Sequence, residues 1–391
     1  MENQTAKPVI RFPEYTDHWN NTKLSELLKE TKKRNADLKY TKDEVLSVSG
    51  EMGIVNQIEH LGRSYAGVSV HQYHVVEVGD IVYTKSPLKA NPYGIIKQNK
   101  KKAGIVSTLY AVYNVKEENA HGEFIEQYFS LDENLNRYLR PLVRKGAKNT
   151  LQVSDAEALK GNFLIPSVAE QKKITVFLNT LDKKIEQLKQ KKRLLEEYKK
   201  GIMEKIFSRE LRFKDENGNE FPDWEEKILS ELLDYVQPTK YLVESTEYDD
   251  SYKTPVLTAG KSFILGYTNE TFGIYDKKLP LIIFDDFTTS IQFVDFPFKA
   301  KSSAMKLLVP KKGSNIYFIF EAMQLINYSI GGHERHWISK YSKIEIPVPC
   351  AKEQNKISDF LSTINDKISR TQAQIEQTQQ YKKGLLQNMF V

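Results

Sequence analysis

The sequence predicts an α+β protein with pseudo-two-fold symmetry, in which two α/β domains are separated by two long helices that form an antiparallel coiled coil. Three observations predict this fold. The segment LSELL occurs at 24–28 and again at 229–233. Two longer segments, EQKKITVFLNTLDKKI (170–185) and EQNKISDFLSTINDKI (353–368), align without a gap. Between these repeats lie short β-branched and aromatic runs, which are typical of strands.

Each LSELL follows a tryptophan, Trp19 or Trp224, at the same distance, and a Phe-Pro pair (Phe12-Pro13 or Phe221-Pro222) stands shortly before each tryptophan. The second copy comes directly after a long helix. We therefore expect the N-terminal copy to pack beside the end of the other long helix. Each tryptophan and LSELL would then fix one α/β domain to the helices, and residues 1–20 are assigned as an N-terminal clasp.

The long helices follow from their heptad spacing. Apolar residues recur at alternating intervals of four and three, with two lysine interruptions in the first helix and two threonines and a lysine in the second. The seam residues are Ile174, Leu178, Leu181, Ile185, Leu188 and Leu195 in the first helix, and Ile357, Leu361, Ile364, Ile368 and Ile375 in the second. Since both helices have the same length and phase, each is the economical partner of the other. The alternative is that each helix packs separately on its own domain.

The domain boundaries follow from these repeats. We assign the first α/β domain to 21–166, the first helical region to 167–208, the second α/β domain to 209–348 and the second helical region to 349–391. The two α/β domains share almost no sequence identity beyond their common pattern of short, strand-like runs. The helical frame is therefore repeated, whereas the domains that it holds differ in sequence.

Composition sets broad limits on function. The chain has 391 residues, 40% of them hydrophobic, and a formal net charge of +6, which permits nucleic-acid binding without proving it. A single cysteine, Cys350, excludes an internal disulfide framework and fits a reducing compartment. No apolar run reaches the roughly 18 residues of a membrane span, and no signal-peptide core is present. We expect a soluble, cytoplasmic protein.

Two unlike domains held apart by a stiff spacer would address two unlike half-sites on duplex DNA, at a separation that the spacer sets. The order of variable domain, helix with the EQ…FL…KI pattern and YKKG (198–201), second variable domain and second such helix with YKKG (381–384) resembles the DNA-specificity subunit of type I restriction–modification systems. The resemblance covers the whole chain, and GDIVYTK and GIVSTLY also look like that family's target-recognition domains.

This resemblance implies two target-recognition domains, each of which reads one half of a split site on double-stranded DNA. It implies a subunit without a catalytic centre or cofactor that docks two methyltransferase subunits and, through them, two ATP-driven restriction subunits. S-adenosylmethionine, ATP and Mg are expected in those partner subunits, and no membrane partner is expected. The alternatives are a coiled-coil scaffold that binds no nucleic acid, and a nuclease or methyltransferase in its own right.

The sequence offers little chemistry of its own. NPYG (91–94) lacks the second proline of an amino-methyltransferase motif and is better interpreted as a turn. The pairs His71/His74 and His333/His336 have HxxH spacing without further ligands nearby, so no metal site is predicted. Asp285-Asp286 is better explained as a strand end than as a nuclease site, and no P-loop occurs.

Candidate DNA contacts lie on polar, basic loops that glycine and proline interrupt, because phosphate and base contacts need such side chains. In the first domain they are Arg63, Ser64, Tyr65, Lys85, Lys89, Lys100, Lys101, Lys102, Arg144, Lys148 and Asn149. In the second domain they are Lys261, Thr288, Lys301, His333, Arg335, His336 and Trp337, with Ser262, Thr289 and Lys299 as secondary candidates. The alternative for any single lysine is a solvated surface charge.

Overall fold

The computed structural model describes residues 7–146, 151–260, 262–328 and 335–390. The chain divides into two compact units, one comprising Met1–Leu188 with Ala373–Val391 and the other Lys189–Gln372. Each unit contains an α/β domain and a part of each long helix. Within the described ranges, no helix is both long enough and apolar enough to cross a membrane.

The first unit is built on a four-stranded antiparallel sheet in the order β2-β9-β6-β7. Its strands are β1 (Asn20–Lys23), β2 (Leu28–Glu30), β3 (Leu46–Ser49), β4 (Gly53–Asn56), β5 (His74–Val76), β6 (Ile81–Thr84), β7 (Ile95–Gln98), β8 (Gly104–Val106), β9 (Tyr110–Val115), β10 (Arg144–Lys145), β11 (Leu151–Gln152) and β12 (Asn162–Ile165). Its helices are α1 (Leu24–Leu27), α2 (Gln57–Leu61), α3 (Gly122–Phe129), α4 (Asp132–Leu139) and α5 (Val168–Phe207), of which the part up to Leu188 belongs here. Strand β6 is buried along its whole length, as its sequence IVYT suggests.

The second unit has a sheet of the same kind, in the order β14-β20-β17-β18. Its strands are β13 (Glu225–Ile228), β14 (Leu233–Val236), β15 (Thr254–Leu257), β16 (Ile264–Thr268), β17 (Leu281–Asp285), β18 (Ile291–Val294), β19 (Lys299–Ala300), β20 (Met305–Pro310) and β21 (Glu345–Val348). Its helices are α6 (Leu229–Leu232), α7 (Ile316–Gln324), α8 (His336–Ser339) and α9 (Ala351–Met389), of which the part from Ala373 belongs to the first unit.

The two α/β domains are more alike than their sequences suggest. In each, the LSEL segment forms a one-turn helix. The strand that follows it, β2 or β14, pairs with β9 or β20, and a lysine comes directly after the end of β9 and of β20. The backbone N–H of Lys116 donates a hydrogen bond of 2.9 Å to the backbone carbonyl of Leu27. The ammonium of Lys116 donates one of 3.0 Å to the backbone carbonyl of Ser25. Lys311 makes the same two bonds in the second unit, at 2.9 and 2.7 Å. The frame therefore extends into the sheets, although few identities reveal it.

The predicted antiparallel pairing of the long helices is confirmed. In the first unit, Ile174 and Leu178 near the start of α5 share a hydrophobic core with residues 385–390 at the end of the chain. Farther along α5, Asp182 accepts a hydrogen bond from Lys382. In the second unit, residues 203–206 of α5 share a core with residues 357–364 of α9. All eleven seam residues are buried or half-buried, and each helix segment also packs on the α/β domain of its unit.

Candidate nucleic-acid interface

The glutamate of each EQ pair anchors an arginine. Arg11 donates two hydrogen bonds of 2.8 Å to the carboxylate of Glu170, and Arg212 donates bonds of 3.3 and 2.8 Å to Glu353. These hydrogen bonds raise the pKa of both guanidinium groups. Both glutamates are almost completely buried, so each depends on its arginine to balance a charge away from water.

The phenylalanine after each arginine is also repeated. The rings of Phe12 and Phe177 meet edge to face with centroids 5.8 Å apart, and Phe213 meets Phe360 in the same way at 5.6 Å. The equivalent segments are thus Arg-Phe at 11–12 and 212–213. The Phe-Pro pairs share a different contact with the long helices, because the ammonium of Lys173 lies 4.8 Å from the ring centre of Phe12 and that of the equivalent Lys356 lies 5.8 Å from the ring centre of Phe221.

The glutamine of each EQ pair ties an α/β domain to its long helix. The side-chain oxygen of Gln171 accepts the backbone N–H of His121 at 2.7 Å, and that of Gln354 accepts the N–H of Asn315 at 2.9 Å. His121 and Asn315 occupy the N-cap positions of α3 and α7. Each glutamine also donates to the carbonyl of the proline five residues before it, at 2.9 Å in both units. The EQ signature is therefore explained as a pair of structural anchors.

Both tryptophans lie in hydrophobic cores, as the clasp hypothesis requires. The indole N–H of Trp224 donates to Glu353 at 3.1 Å, whereas that of Trp19 has no hydrogen-bond partner among the described residues. The N-terminal segment lies beside the end of α9, because the N–H of Ile10 donates to the carbonyl of Asn388 at 2.9 Å. This is the placement that the sequence predicted for the N-terminal copy.

In the first unit, two of the predicted loops lie against each other. We call residues 85–94, together with the described residues 143–146 and 151–155, the first loop pair. The ammonium of Lys85 lies 2.5 Å from a carboxylate oxygen of Asp155, and both side chains are largely buried. The ammonium of Lys145 lies 5.4 Å from the centre of the Tyr93 ring, within range of a cation–π interaction. The loop after β6 and the loop before β12 therefore form one surface.

In the second unit, the corresponding loops also meet. We call residues 286–290 and 335–340 the second loop pair. The side-chain carboxylate of Asp286 accepts a hydrogen bond of 2.8 Å from the backbone N–H of Trp337. The backbone carbonyl of Asp286 accepts one of 3.0 Å from the backbone N–H of His336. The ammonium of Lys306 lies 3.5 Å from the other carboxylate oxygen of Asp286. The turn of the β17–β18 hairpin is thereby fixed to α8.

Four exposed candidates lie on these loop pairs. They are Lys89 and Arg144 in the first, and Thr288 and Arg335 in the second. Thr289 is half-buried beside Thr288 and adopts a left-handed backbone conformation, with φ of 57°. Lys85 lies in the first loop pair as well, although its charge is directed at Asp155. The structure thus brings together candidates that are separated in the sequence.

Three candidates in the second domain are structural instead. His336 and Trp337 are 0% and 2% exposed, and Trp337 packs against Phe284. The Nδ1 atom of His336 lies 3.1 Å from the hydroxyl of Tyr328. Lys299 is fully buried, where its ammonium pairs with Glu270. Because burial places these side chains in the protein core, we withdraw them as DNA contacts.

A lysine cluster in the first domain lies at the opposite end of the sheet from Lys85. Lys100, Lys101 and Lys102 follow β7, which runs antiparallel to β6. The ammonium of Lys100 lies 2.7 Å from the carboxylate of Glu126, and that of Lys102 lies 3.8 Å from that of Glu59. The structure therefore separates this cluster from the first loop pair, and two of its charges are already paired.

The remaining candidates are scattered. The guanidinium of Arg63 stacks at 4.6 Å on the ring of Tyr65, and both are exposed on the loop after α2, with Ser64 half-buried between them. Lys301 donates to the hydroxyl of Tyr248 at 3.0 Å, and Ser262 is exposed. The candidates that lie outside the described residues are Lys148, Asn149, Lys261 and His333.

The motifs considered for catalysis have structural explanations. The N–H of Gly94 donates to the carbonyl of Asn91 at 3.1 Å, so NPYG forms a turn, and β17 ends at Asp285 as expected for a strand-end acidic pair. His74 is buried in β5, where burial and then the charge of Arg34 lower its pKa to about 4. Across the described ranges, no group of three or more His, Cys, Asp or Glu residues is placed to hold a metal ion.

These features define a class of protein: two α/β domains of one topology, each fixed to paired long helices by the same anchors and each presenting loops of different chemistry. Residues 222–380 match the model of the family described as the type I restriction modification DNA specificity domain. Within this segment the sequence, and over the whole chain the fold, are similar to those of specificity subunits of type I restriction–modification systems.

The similar proteins are as follows. Over 156 residues the chain is 47% identical to the type I restriction enzyme EcoR124I/EcoR124II specificity subunit of Escherichia coli, and this segment spans 38% of each protein. It is 24% identical over 296 residues to the putative type I restriction enzyme MjaX specificity subunit of Methanocaldococcus jannaschii, which covers 67% of each. The fold matches that of a type I restriction–modification S subunit from M. genitalium with a TM-score of 0.64 and 14% identity, over 99% of both chains.

Proposed function

We propose that this chain is the non-catalytic DNA-binding subunit of a type I restriction–modification complex. It reads a bipartite, asymmetric site on double-stranded DNA, with one α/β domain acting as the target-recognition domain for each half-site. The observation that supports this most is the repetition of one frame around unlike loops. The first loop pair presents Lys89 and Arg144, whereas the second presents Thr288 and Arg335.

The difference between the loop pairs has a direct chemical consequence. Arginine and lysine donate hydrogen bonds to guanine edges and to phosphates, whereas a threonine hydroxyl can donate or accept and its methyl group can contact thymine. Two domains with the same topology and different loop chemistry therefore favour two different base sequences. A palindromic site would call for two like sets of loops.

The remaining chemistry belongs to partner subunits in this proposal. Two methyltransferase subunits dock on the long helices and bind S-adenosylmethionine, and two restriction subunits use ATP and Mg. This chain binds none of these cofactors and works in the cytoplasm, where the host DNA is found. The similarity to specificity subunits of type I restriction–modification systems supports this division of labour.

Mapping methylated adenines in host DNA, with and without the gene for this chain, tests the proposal. Deletion should abolish methylation at one split motif with two unlike halves, and a plasmid-borne copy should restore it. An unchanged methylation pattern would contradict the proposal.

Two further measurements separate the alternatives. A scaffold that binds no nucleic acid would not show the steep salt dependence of affinity for one bipartite duplex that phosphate contacts produce. A self-sufficient enzyme would cleave or methylate DNA as the purified chain, given Mg or S-adenosylmethionine alone. We expect the salt dependence and no activity of the isolated chain.

A further inference from the structure

In each unit, the two loops of the loop pair are connected to each other at the same register position of the sheet. In the first unit, Tyr113 of β9 lies opposite Ile81 of β6, two residues before the end of β9. In the second unit, Leu308 of β20 lies opposite Ile282 of β17, again two residues before the strand ends. Both strand ends pair with the last leucine of an LSELL segment. The residue four positions after Ile81 is therefore equivalent to the residue four positions after Ile282.

Those two residues are Lys85 and Asp286, and each of them binds the loop that precedes the last strand of its domain. Lys85 pairs with Asp155, seven residues before β12 begins, and Asp286 binds Trp337, eight residues before β21 begins. The same position thus connects the same two loops in both units. The chemistry is inverted, with a cation in one unit and an anion in the other.

Neither connection is a loose surface ion pair. The side chains of Lys85 and Asp155 are 18% and 20% exposed, and those of Asp286 and Lys306 are each 1% exposed. The hydroxyl of Tyr113 also donates to the carbonyl of Asp155 at 2.8 Å, which fixes the loop backbone beside the charge. Because water screens partly buried pairs less than exposed ones, each connection holds its two loops in one arrangement.

We propose that Lys85 and Asp286 are positioning residues for sequence discrimination, each of which makes two loops into a single surface for one half-site. This inference rests on the proposed function. Base recognition needs side chains held within about 0.5 Å and 10–20° of their working geometry, whereas phosphate contacts tolerate more movement. Loss of either connection should therefore weaken discrimination between sequences more than it weakens binding to DNA in general.

The test uses the full chain in complex with its methyltransferase subunits and three duplexes. One duplex contains the motif found by methylation mapping, and each of the others has one half-site scrambled. The ratio of affinities for the intact and scrambled duplexes gives the discrimination at each half-site. The variants are Lys85→Met, the charge swap Lys85→Asp with Asp155→Lys, and Asp286→Asn, and thermal melting of each is measured alongside.

Lys33→Met is the control. It removes an ion pair with Glu77 in the same domain, four residues before β6 begins and therefore at the end of the sheet away from the first loop pair. It should leave both discrimination ratios unchanged, whereas Lys85→Met should lower the ratio at one half-site by about tenfold, as expected for the loss of a charged hydrogen bond. The charge swap should restore most of that loss, and Asp286→Asn should act on the other half-site.

The outcomes separate the inference from the function on which it rests. If the wild-type complex does not discriminate at either half-site, the proposed function fails and the inference fails with it. If the wild type discriminates and Lys85→Met does so equally well, the inference alone is overturned. Equal loss at both half-sites, together with a lower melting temperature, would show a general structural role and would also overturn it.

Discussion

Arg11 and Glu170 lie 159 residues apart in the chain and are joined by two hydrogen bonds of 2.8 Å. Arg212 and Glu353 repeat this contact in the second unit. A buried carboxylate needs a partner, and in each unit an arginine from the segment before the first strand provides it. The contact fixes the entrance of each domain to a long helix, which explains why it recurs where the loops differ.

Arg212→Ala should lower the free energy of unfolding by about 3–5 kcal/mol, because it leaves the carboxylate of Glu353 buried without a cation. Arg209→Ala is the control, since Arg209 pairs with Glu226 at 2.6 Å and both side chains are about half exposed. That change should cost at most about 1 kcal/mol. Urea denaturation of the two variants gives the comparison, and equal losses would refute the anchoring role.

Trp19 and Trp224 should differ in how much the indole N–H contributes to stability. Trp19→Ala and Trp224→Ala should each destabilise the chain by about 3–5 kcal/mol, as for other truncations of buried aromatic residues. Trp224→Phe should cost about 1 kcal/mol more than Trp19→Phe, because the indole N–H of Trp224 donates to Glu353, whereas that of Trp19 has no partner among the described residues. Melting curves of the four variants test this, and unchanged melting in both alanine variants would disprove the clasp.

The free energy of unfolding should decrease as the pH is lowered, because His74 is buried. Burial and Arg34 lower its pKa from 6.5 to about 4, so the unfolded chain binds the proton more readily than the folded chain does. The contribution of neutral His74 to the free energy of unfolding is therefore complete above pH 6.5, and it is lost as the pH falls towards 4. Between pH 7.5 and 5 the loss should be about 2 kcal/mol.

Denaturation of wild type and His74→Leu at both pH values isolates this effect. The variant should lack the part of the pH dependence that His74 contributes. If His74→Leu and wild type lose the same free energy on acidification, His74 does not remain neutral in the folded state.

The exposed arginines of the loop pairs predict effects confined to one half-site. Arg144→Ala and Arg335→Ala should each weaken binding, by about 1–3 kcal/mol with relaxed specificity if the side chain contacts a base. If it contacts a phosphate, the salt dependence should become shallower by about one unit, with specificity retained. Lys102→Ala is the control, because Lys102 lies on the turn at the other end of the sheet. Affinities measured across a salt series distinguish these results, and an equal effect of Lys102→Ala would contradict the assignment.

The helical frame could be predicted because its repeats preserve both identity and spacing, and the heptad seam follows from periodicity alone. The shared sheet could not be predicted, since strand patterns that bury the same positions need no common residues: Tyr113 and Leu308 are equivalent, yet chemically unlike. The Arg-Phe repeat at 11–12 and 212–213 was visible in the sequence, but the two Phe-Pro pairs near the tryptophans were more conspicuous.

The candidate site was predicted less well, for a physical reason. The polar stretch around His336 has the composition of a surface loop, yet Asp286 binds its backbone and Phe284 covers Trp337. Partners from strands far away in the sequence decide which face of such a stretch is buried. The sequence therefore predicts which stretches are polar loops, but it does not show which of their side chains are buried.

The most direct test of the account is to exchange residues 21–165 for the corresponding segment of a specificity subunit with a different target, and to map adenine methylation in the host. The account predicts a new motif in which one half-site and the spacer length are kept and the other half-site is replaced. A motif altered in both halves would contradict the claim that two separate domains, held by one duplicated frame, each recognise half of the site.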